Sequence, residues 1–148
     1  MNKNKAVIFF ITFLMAVQIS ASGTLHWKSI SMLNTSASLQ KKKVLYFSAD
    51  WCKWCRKLEK EVFADSEVSK FLNDNFQLYH ADIDKEVFVE INNSFKSISE
   101  LAKIFGVNSY PTIVFLDGEN NSLGELQGYY DKENLLKALK FVKGIKPE

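Results

Sequence analysis

The sequence predicts an α/β domain in which a central mixed β-sheet carries helices on both faces. Three observations predict it. The short apolar runs Val44–Ser48 and Thr112–Leu116 have the continuous character of strands buried on both sides. Segments with spaced apolar residues and charges between them fall among and after these runs, as amphipathic helices do. The resulting order, a βαβ unit followed by a hairpin and a last helix, fits a mixed sheet covered on both faces.

The first segment is expected to lie outside this domain. Lys3 and Lys5 form a basic head, Ala6–Ile19 is almost wholly apolar, and Ser20, Ala21, Ser22 and Gly23 are small. That layout is the one of a secretory signal peptide, with cleavage expected near Ala21 and a mature domain over 22–148. The apolar run is about 14 residues, shorter than the ~20 that span a bilayer core. An uncleaved membrane anchor is the alternative. No cysteine follows the run, which argues against a lipid-anchored start.

Within the domain, Thr24–Ile30 alternates loosely and is predicted to be a short edge strand. Ser31–Gln40 has no strong period and reads as a weak helix or loop. Lys41–Lys43 is predicted to be a solvated loop before the buried strand Val44–Ser48. From Trp51 the chain turns helical, with Leu58, Val62 and Phe63 at helical spacing. Asp65-Ser66 opens a second helix, with Ser66 as its cap and Glu67 in its first turn.

Phe76–Ile83 is the next predicted strand. Asp84–Ser97 is polar with scattered apolar residues and reads as an insertion or irregular loop. Ser99–Phe105 is a short amphipathic helix capped by Ser99, and Gly106 suits its left-handed stop. After Pro111 comes the strand Thr112–Leu116, the turn Asp117–Asn121 and the return strand Ser122–Gln127. Gly128 breaks the run. Lys132–Val142 closes the chain as a helix with Leu135, Leu136, Leu139 and Val142 on one side.

Charge excludes one class of partner. The chain carries 19 Lys and Arg against 17 Asp and Glu. Lys3 and Lys5 are the only charged residues of the signal segment, so the mature domain is formally neutral and no nucleic-acid partner is expected. The chain has two cysteines. In an exported protein such a pair usually means a structural disulfide. Cys52 and Cys55 lie so close in sequence that a bond between them restricts the unfolded chain little. A chemical role is the stronger reading.

That role follows from where the pair sits. Trp51-Cys52-Lys53-Trp54-Cys55 comes directly after a buried strand and opens a helix, a context in which C-x-x-C reads as a redox motif. A helix start presents unpaired N–H groups and the positive end of the dipole, both of which favour a thiolate. Cys52 is therefore the expected nucleophile. Cys55, nearly one turn later, is placed to attack a mixed disulfide on Cys52. Zinc would need two further ligands; only His26 and His80 are on offer, without finger spacing. His80 reads as a satisfied sheet residue, and the Asp82/Asp84 pair as a strand end running into a solvated loop. Tyr110-Pro111-Thr112 is the second feature, since a proline just before a buried strand is often cis and exposes the preceding backbone to an extended substrate.

Ala49-Asp50-Trp51-Cys52-Lys53-Trp54-Cys55, Glu59 and Phe63 on the following helix, Tyr110-Pro111-Thr112 and Gly128 together resemble the thioredoxin superfamily. Within it the chain is similar to periplasmic members, the small SoxW-like thioredoxins and the C-terminal domain of the transmembrane disulfide reductase DsbD. The resemblance covers about Val44–Val142. It implies a thioredoxin fold with Cys52 attacking, Cys55 resolving and Pro111 in cis beside them. Two departures stand out. Where many thioredoxins keep a buried aspartate to accept the proton of the resolving thiol, this chain has Tyr46, which is no base near neutral pH. Water, Asp50 or Glu59 would have to serve instead. Between the cysteines stands Lys53-Trp54 in place of Gly-Pro. Lys53, with Arg56 and Lys57, adds positive charge that favours the thiolate, and Trp54 shapes the substrate surface together with Trp51, Tyr110 and Pro111.

The expected function is reduction of disulfides in exported, periplasmic proteins. Its redox group is the Cys52–Cys55 pair itself, with no other cofactor and no metal. The expected partners are disulfide-bonded proteins as substrates and a membrane thiol reductase as electron donor, acting on a monomer. An oxidase or isomerase using the same chemistry, and a redox-inactive binding or chaperone module, are the alternatives.

Overall fold

The computed structural model describes residues 22–34, 41–91 and 93–145. The expected signal peptide and residues 35–40 of the expected weak helix or loop lie outside the described residues. Among those described, seven strands and four α-helices follow in chain order. They are β1 (Trp27–Ser29), β2 (Lys43–Ser48), α1 (Lys53–Leu58), α2 (Ser66–Asn75), β3 (Gln77–Asp82), β4 (Phe88–Ile91), β5 (Ser94–Ser97), α3 (Ile98–Ile104), β6 (Thr112–Leu116), β7 (Ser122–Gln127) and α4 (Lys132–Lys143).

Five strands make one sheet in the order β1-β3-β2-β6-β7. β1 and β2 run parallel to β3, whereas β6 is antiparallel to β2 and to β7. The predicted mixed sheet is therefore present, and its central strand β2 is buried along its whole length. The two-residue period of that strand divides the core. Val44 and Tyr46 face a layer built with Cys55 and Leu58 of α1, Val62 just beyond it, Val68 and Leu72 of α2, and Leu135 and Leu139 of α4. Leu45 and Phe47 face the opposite layer, built with Ile98, Leu101 and Ala102 of α3 and with Val89 and Ile91 of β4.

Several elements differ from expectation, each for a local reason. Asp84–Ser97 is not an irregular loop: it holds the β4–β5 hairpin, in which Val89 and Ile91 are buried and alternate with exposed Phe88 and Glu90. Asp65, not Ser66, caps α2, its carboxylate accepting from the N–H groups of Glu67 and Val68. The cap of α3 is Ser97, not Ser99, in a reciprocal capping box with Glu100. Helix α1 runs into a π-turn over Glu59–Phe63, where the Ala64 N–H reaches back to the Glu59 carbonyl at 3.1 Å. The extra residue in that turn buries Val62 and Phe63 side by side.

Lys43 is the largest departure. It belongs to β2, and its side chain is fully buried. Its ammonium donates to the carbonyls of Leu33 (3.3 Å) and Gly118 (2.9 Å) and to Asn120 Oδ1 (2.5 Å). Burial holds its pKa below the ordinary lysine value, and the nearby Asp117 opposes this.

Candidate active site

The ends of β2 and β6 bring the two motifs together. Phe47 pairs with Thr112 across the antiparallel ladder, so the turn that leaves β2 and the Tyr110–Pro111 segment that enters β6 emerge at one end of the sheet. Cys52 sits at the N-cap of α1 with extended backbone, and its Sγ accepts the Cys55 N–H at 3.0 Å. The sulfur therefore takes the place of the oxygen cap that a serine or aspartate would supply. Cys52 and Cys55 are joined by a disulfide with their Cα atoms 5.2 Å apart. In this oxidised form both are covered, Cys52 being 4% and Cys55 1% exposed. The difference in exposure expected at the helix start is therefore small.

The Tyr110–Pro111 bond is cis. The Trp51 ring stands edge-on to Tyr110, with centroids 5.9 Å apart, and ties the two segments together. Trp51 is 68% exposed. On the other side, Trp54, 51% exposed, packs on Tyr129 at 5.7 Å. The Lys57 ammonium lies over both rings, and Glu61 accepts from the Tyr129 hydroxyl at 3.2 Å. Tyr129 is a rim residue that sequence reasoning missed. The available signal was Gly128, whose φ of 90° turns the chain sharply just before it.

The expected cationic surroundings of Cys52 are partly diverted. Lys57 is held by Trp54, Tyr129 and Glu61, and the Arg56 guanidinium donates to the Asp50 carbonyl at 2.6 Å. Lys53 is exposed. Asp50 is drawn to the acidic side instead: its N–H donates to Asp84 Oδ2 at 2.7 Å, and the carboxylates of Asp50, Asp82 and Asp84 approach within 4.8 Å of one another.

Beneath the pair, Tyr46 fills the layer under α1. Its hydroxyl donates to Glu59 Oε1 at 3.0 Å. Burial, then the Glu59 charge and this hydrogen bond, push the phenol further up from its usual range, so Tyr46 stays protonated. Glu59 stands one turn beyond Cys55, a spacing that puts both on one helix face. It lines an open cleft of about 410 Å³ with Trp27, Phe63 and His80. His80 stacks on Tyr46 at 5.1 Å and its Nε2 lies 2.6 Å from Ser48 Oγ, as a satisfied sheet residue should.

Burial pushes His80 below its ordinary pKa, against the pull of Glu59 and Asp82. The unfolded chain thus binds this proton at higher pH than the folded one. Stability should fall as pH drops from about 6.5 towards the folded value and level off below it. Urea midpoints for wild type and His80→Gln between about pH 7.5 and 5 check this. The variant should show a flatter acid limb, and an unchanged limb would assign the loss to carboxylates.

The comparisons with known proteins agree with this geometry. A profile of the thioredoxin-like domain matches residues 31–143. The chain belongs to the thioredoxin-like family. The disulfide bond reductase DsbH of Chlamydia pneumoniae is 27% identical over 108 residues, covering 72% of this chain and 64% of that protein. The thiol:disulfide interchange protein DsbD of Photorhabdus laumondii is also 27% identical over 108 residues, but these make up 17% of its length. The chain thus spans less than two thirds of either relative. A putative disulphide-isomerase from Bacteroides thetaiotaomicron superposes with a TM-score of 0.65 at 27% identity, covering 86% of this chain and 98% of that one. The joined cysteine pair lies within the segment shared with these relatives, which are named for disulfide interchange and reduction. Among its described residues no helix is long and apolar enough to cross a membrane.

Proposed function

We propose that this thioredoxin-like protein is exported and reduces disulfides of other exported proteins, and that a membrane thiol reductase restores its dithiol. The carrying observation is Cys52 Sγ at the helix N-cap, bonded to Cys55 and flanked by the Trp51–Tyr110 contact. In the reduced protein the Cys52 thiolate attacks one substrate sulfur, the substrate S–S bond breaks, and the released thiolate takes up a proton. The Cys55 thiolate then attacks Cys52 Sγ and expels the second substrate thiolate, which is protonated in turn. Two electrons have passed from the dithiol to the substrate, leaving the Cys52–Cys55 disulfide that the donor must reduce. Exposed Trp51 and Trp54, with half-buried Tyr110 next to the buried Pro111, offer the surface on which a substrate segment rests.

The reducing direction is supported by the charges. A thiolate-stabilising site makes a strong oxidant. Here Lys57 and Arg56 are engaged elsewhere, while Asp50, two residues before Cys52, gathers with Asp82 and Asp84. Like charge disfavours the thiolate. The matched Bacteroides structure carries an isomerase description, and such a protein would use the same residues. Equilibration with glutathione separates the two: a potential near that of thioredoxin, about −270 mV, is expected, and one near −120 mV would sink the reductase reading.

We assign Glu59 the proton of Cys55, with the Tyr46 hydroxyl holding its carboxylate in place. Glu59→Gln should slow resolution of a mixed disulfide by about tenfold, less than the ~100-fold or more typical of a general base, because water reaches the cleft. Tyr46→Phe should slow it less. Stopped-flow decay of a preformed Cys52 adduct measures both, and unchanged decay in Glu59→Gln would leave water as the base.

A further inference from the structure

A second cleft, about 480 Å³ in volume, lies between the segment Ile83–Phe88 and the start of α3 at Ser97–Ser99. Its size falls within the ~300–1,000 Å³ of sites that take ligand groups. Asp84 joins it to the exchange site. The same side chain lines the cleft and accepts the N–H of Asp50 two residues before Cys52, and its charge adds to the burial that raises the Tyr110 pKa. The wall is built rather than loose. Ile83 N–H donates to the Ser48 carbonyl, Asp84 N–H to Asp82 Oδ1, and Lys85 N–H to the Asp82 carbonyl.

The cleft mixes apolar and acidic surface. Ile83, Val87, Phe88 and Ile98 line it, with Phe88 59% exposed at its mouth on the β4–β5 hairpin. Asp84 and Glu86 face the same space, and Asp50 and Asp82 stand behind Asp84. One cation, Lys85, also lines the cleft, where it pairs with Asp82 at 3.7 Å, and Arg56 is turned to the Asp50 carbonyl, so the carboxylates outnumber the cations beside them. On the C-terminal side of Cys52, α1 and its π-turn carry Lys53, Arg56, Lys57 and Lys60 against Glu59 and Glu61, a net positive segment that contrasts with the acidic cleft.

We propose that this cleft is a subsite for a lysine or arginine side chain next to the cysteine of an extended substrate segment, so that charge selects the substrate and sets its direction across Cys52. The proposal rests on the exchange function above. The aliphatic stem lies along Ile98 and Phe88 while the charged head reaches Asp84 and Glu86, the usual division of a long cationic side chain. Opposite charge across such a contact raises the association rate and rejects the wrong sign.

The test uses reduced full-length protein and symmetric disulfide dimers of short peptides that differ at one position. That position, two residues before or two after the cysteine, holds arginine, glutamine or glutamate. Second-order rate constants for peptide reduction should favour arginine over glutamate by about tenfold on one side of the cysteine, and the ratio should shrink in high salt. Glu86→Lys, at an exposed position, should invert or abolish the ratio, and Asp84→Asn, which keeps an acceptor for the Asp50 N–H, should reduce it. Glu119→Lys changes the net charge equally at the far end of β6 and should leave the ratio as in wild type. A ratio near one on both sides of the cysteine, or an equal collapse in Glu119→Lys, overturns the subsite while leaving the exchange function standing. Failure of the wild type to reduce any of the peptides overturns both.

Discussion

The Cys52→Ser protein is expected to lose disulfide exchange down to background, whereas the Cys55→Ser protein should attack its substrate once and stall as a covalent adduct through Cys52. The asymmetry is positional. Cys52 is the cap of α1, where the Cys55 N–H and the unpaired amides of the first turn favour a thiolate. Both cysteines share the core layer with Leu58 and Tyr46, so what separates them is position: Cys55 lies inside the first turn and not at its cap. A serine at position 52 still caps the helix but is no nucleophile towards a disulfide, and Cys55, inside the first turn, lacks the capping amides that favour a thiolate. Non-reducing electrophoresis and mass spectrometry of each variant after incubation with a disulfide substrate decide it. Adducts on Cys52→Ser and none on Cys55→Ser would reverse the roles.

Lys43→Ala should destabilise the oxidised protein by about 2–4 kcal/mol, one of the largest effects open to a single residue outside the apolar core. The ammonium bridges three distant pieces of chain: the end of the β1 region at Leu33, and Gly118 and Asn120 in the β6–β7 turn. Its removal leaves those acceptors without their donor, about 1–3 kcal/mol for each that stays dry, and opens a cavity. The offset is that an ammonium no longer has to be desolvated. Lys43→Met fills the space without replacing the donor and should fall between alanine and wild type. Urea unfolding at unchanged m-value measures both. A methionine variant as stable as wild type would show that the three bonds merely repay the burial of the charge.

Lys43 also marks where the sequence stopped being legible. A three-lysine run before an apolar strand carries every mark of a solvated loop. Only the tertiary fold brings two carbonyls and an amide oxygen to the end of β2. The π-turn at Glu59–Phe63 was hidden for a related reason, since a single extra residue leaves the helical apolar spacing almost intact. By contrast, the Ser97–Glu100 capping box is written in the sequence as S-x-x-E, two residues before the serine expected to cap the helix. The β4–β5 hairpin was masked by length: each strand has four residues, and Val89 and Ile91 alone supply its buried face. The sheet and the cysteine pair were readable because their signals are local. The Tyr46–Glu59 bond and the diversion of Lys57 join side chains whose meeting depends on packing, and no spacing in the chain announces them.

The two margins of the sheet bear on what such a protein must avoid. A molecule that displays exposed tryptophans in order to seize other chains is at risk of seizing itself, and an open strand edge would turn that risk into aggregation. One margin, β1, is three residues long. The other, β7, is exposed over most of its length, yet its ladder with β6 is interrupted between Phe115 and Leu116, opposite Gly124 with its φ of 140°, and Glu125 follows directly. Neither side offers a second copy a long, straight row of free amides and carbonyls. Encounters at the rim around the cysteines can therefore end in chemistry and release rather than in a growing stack of strands.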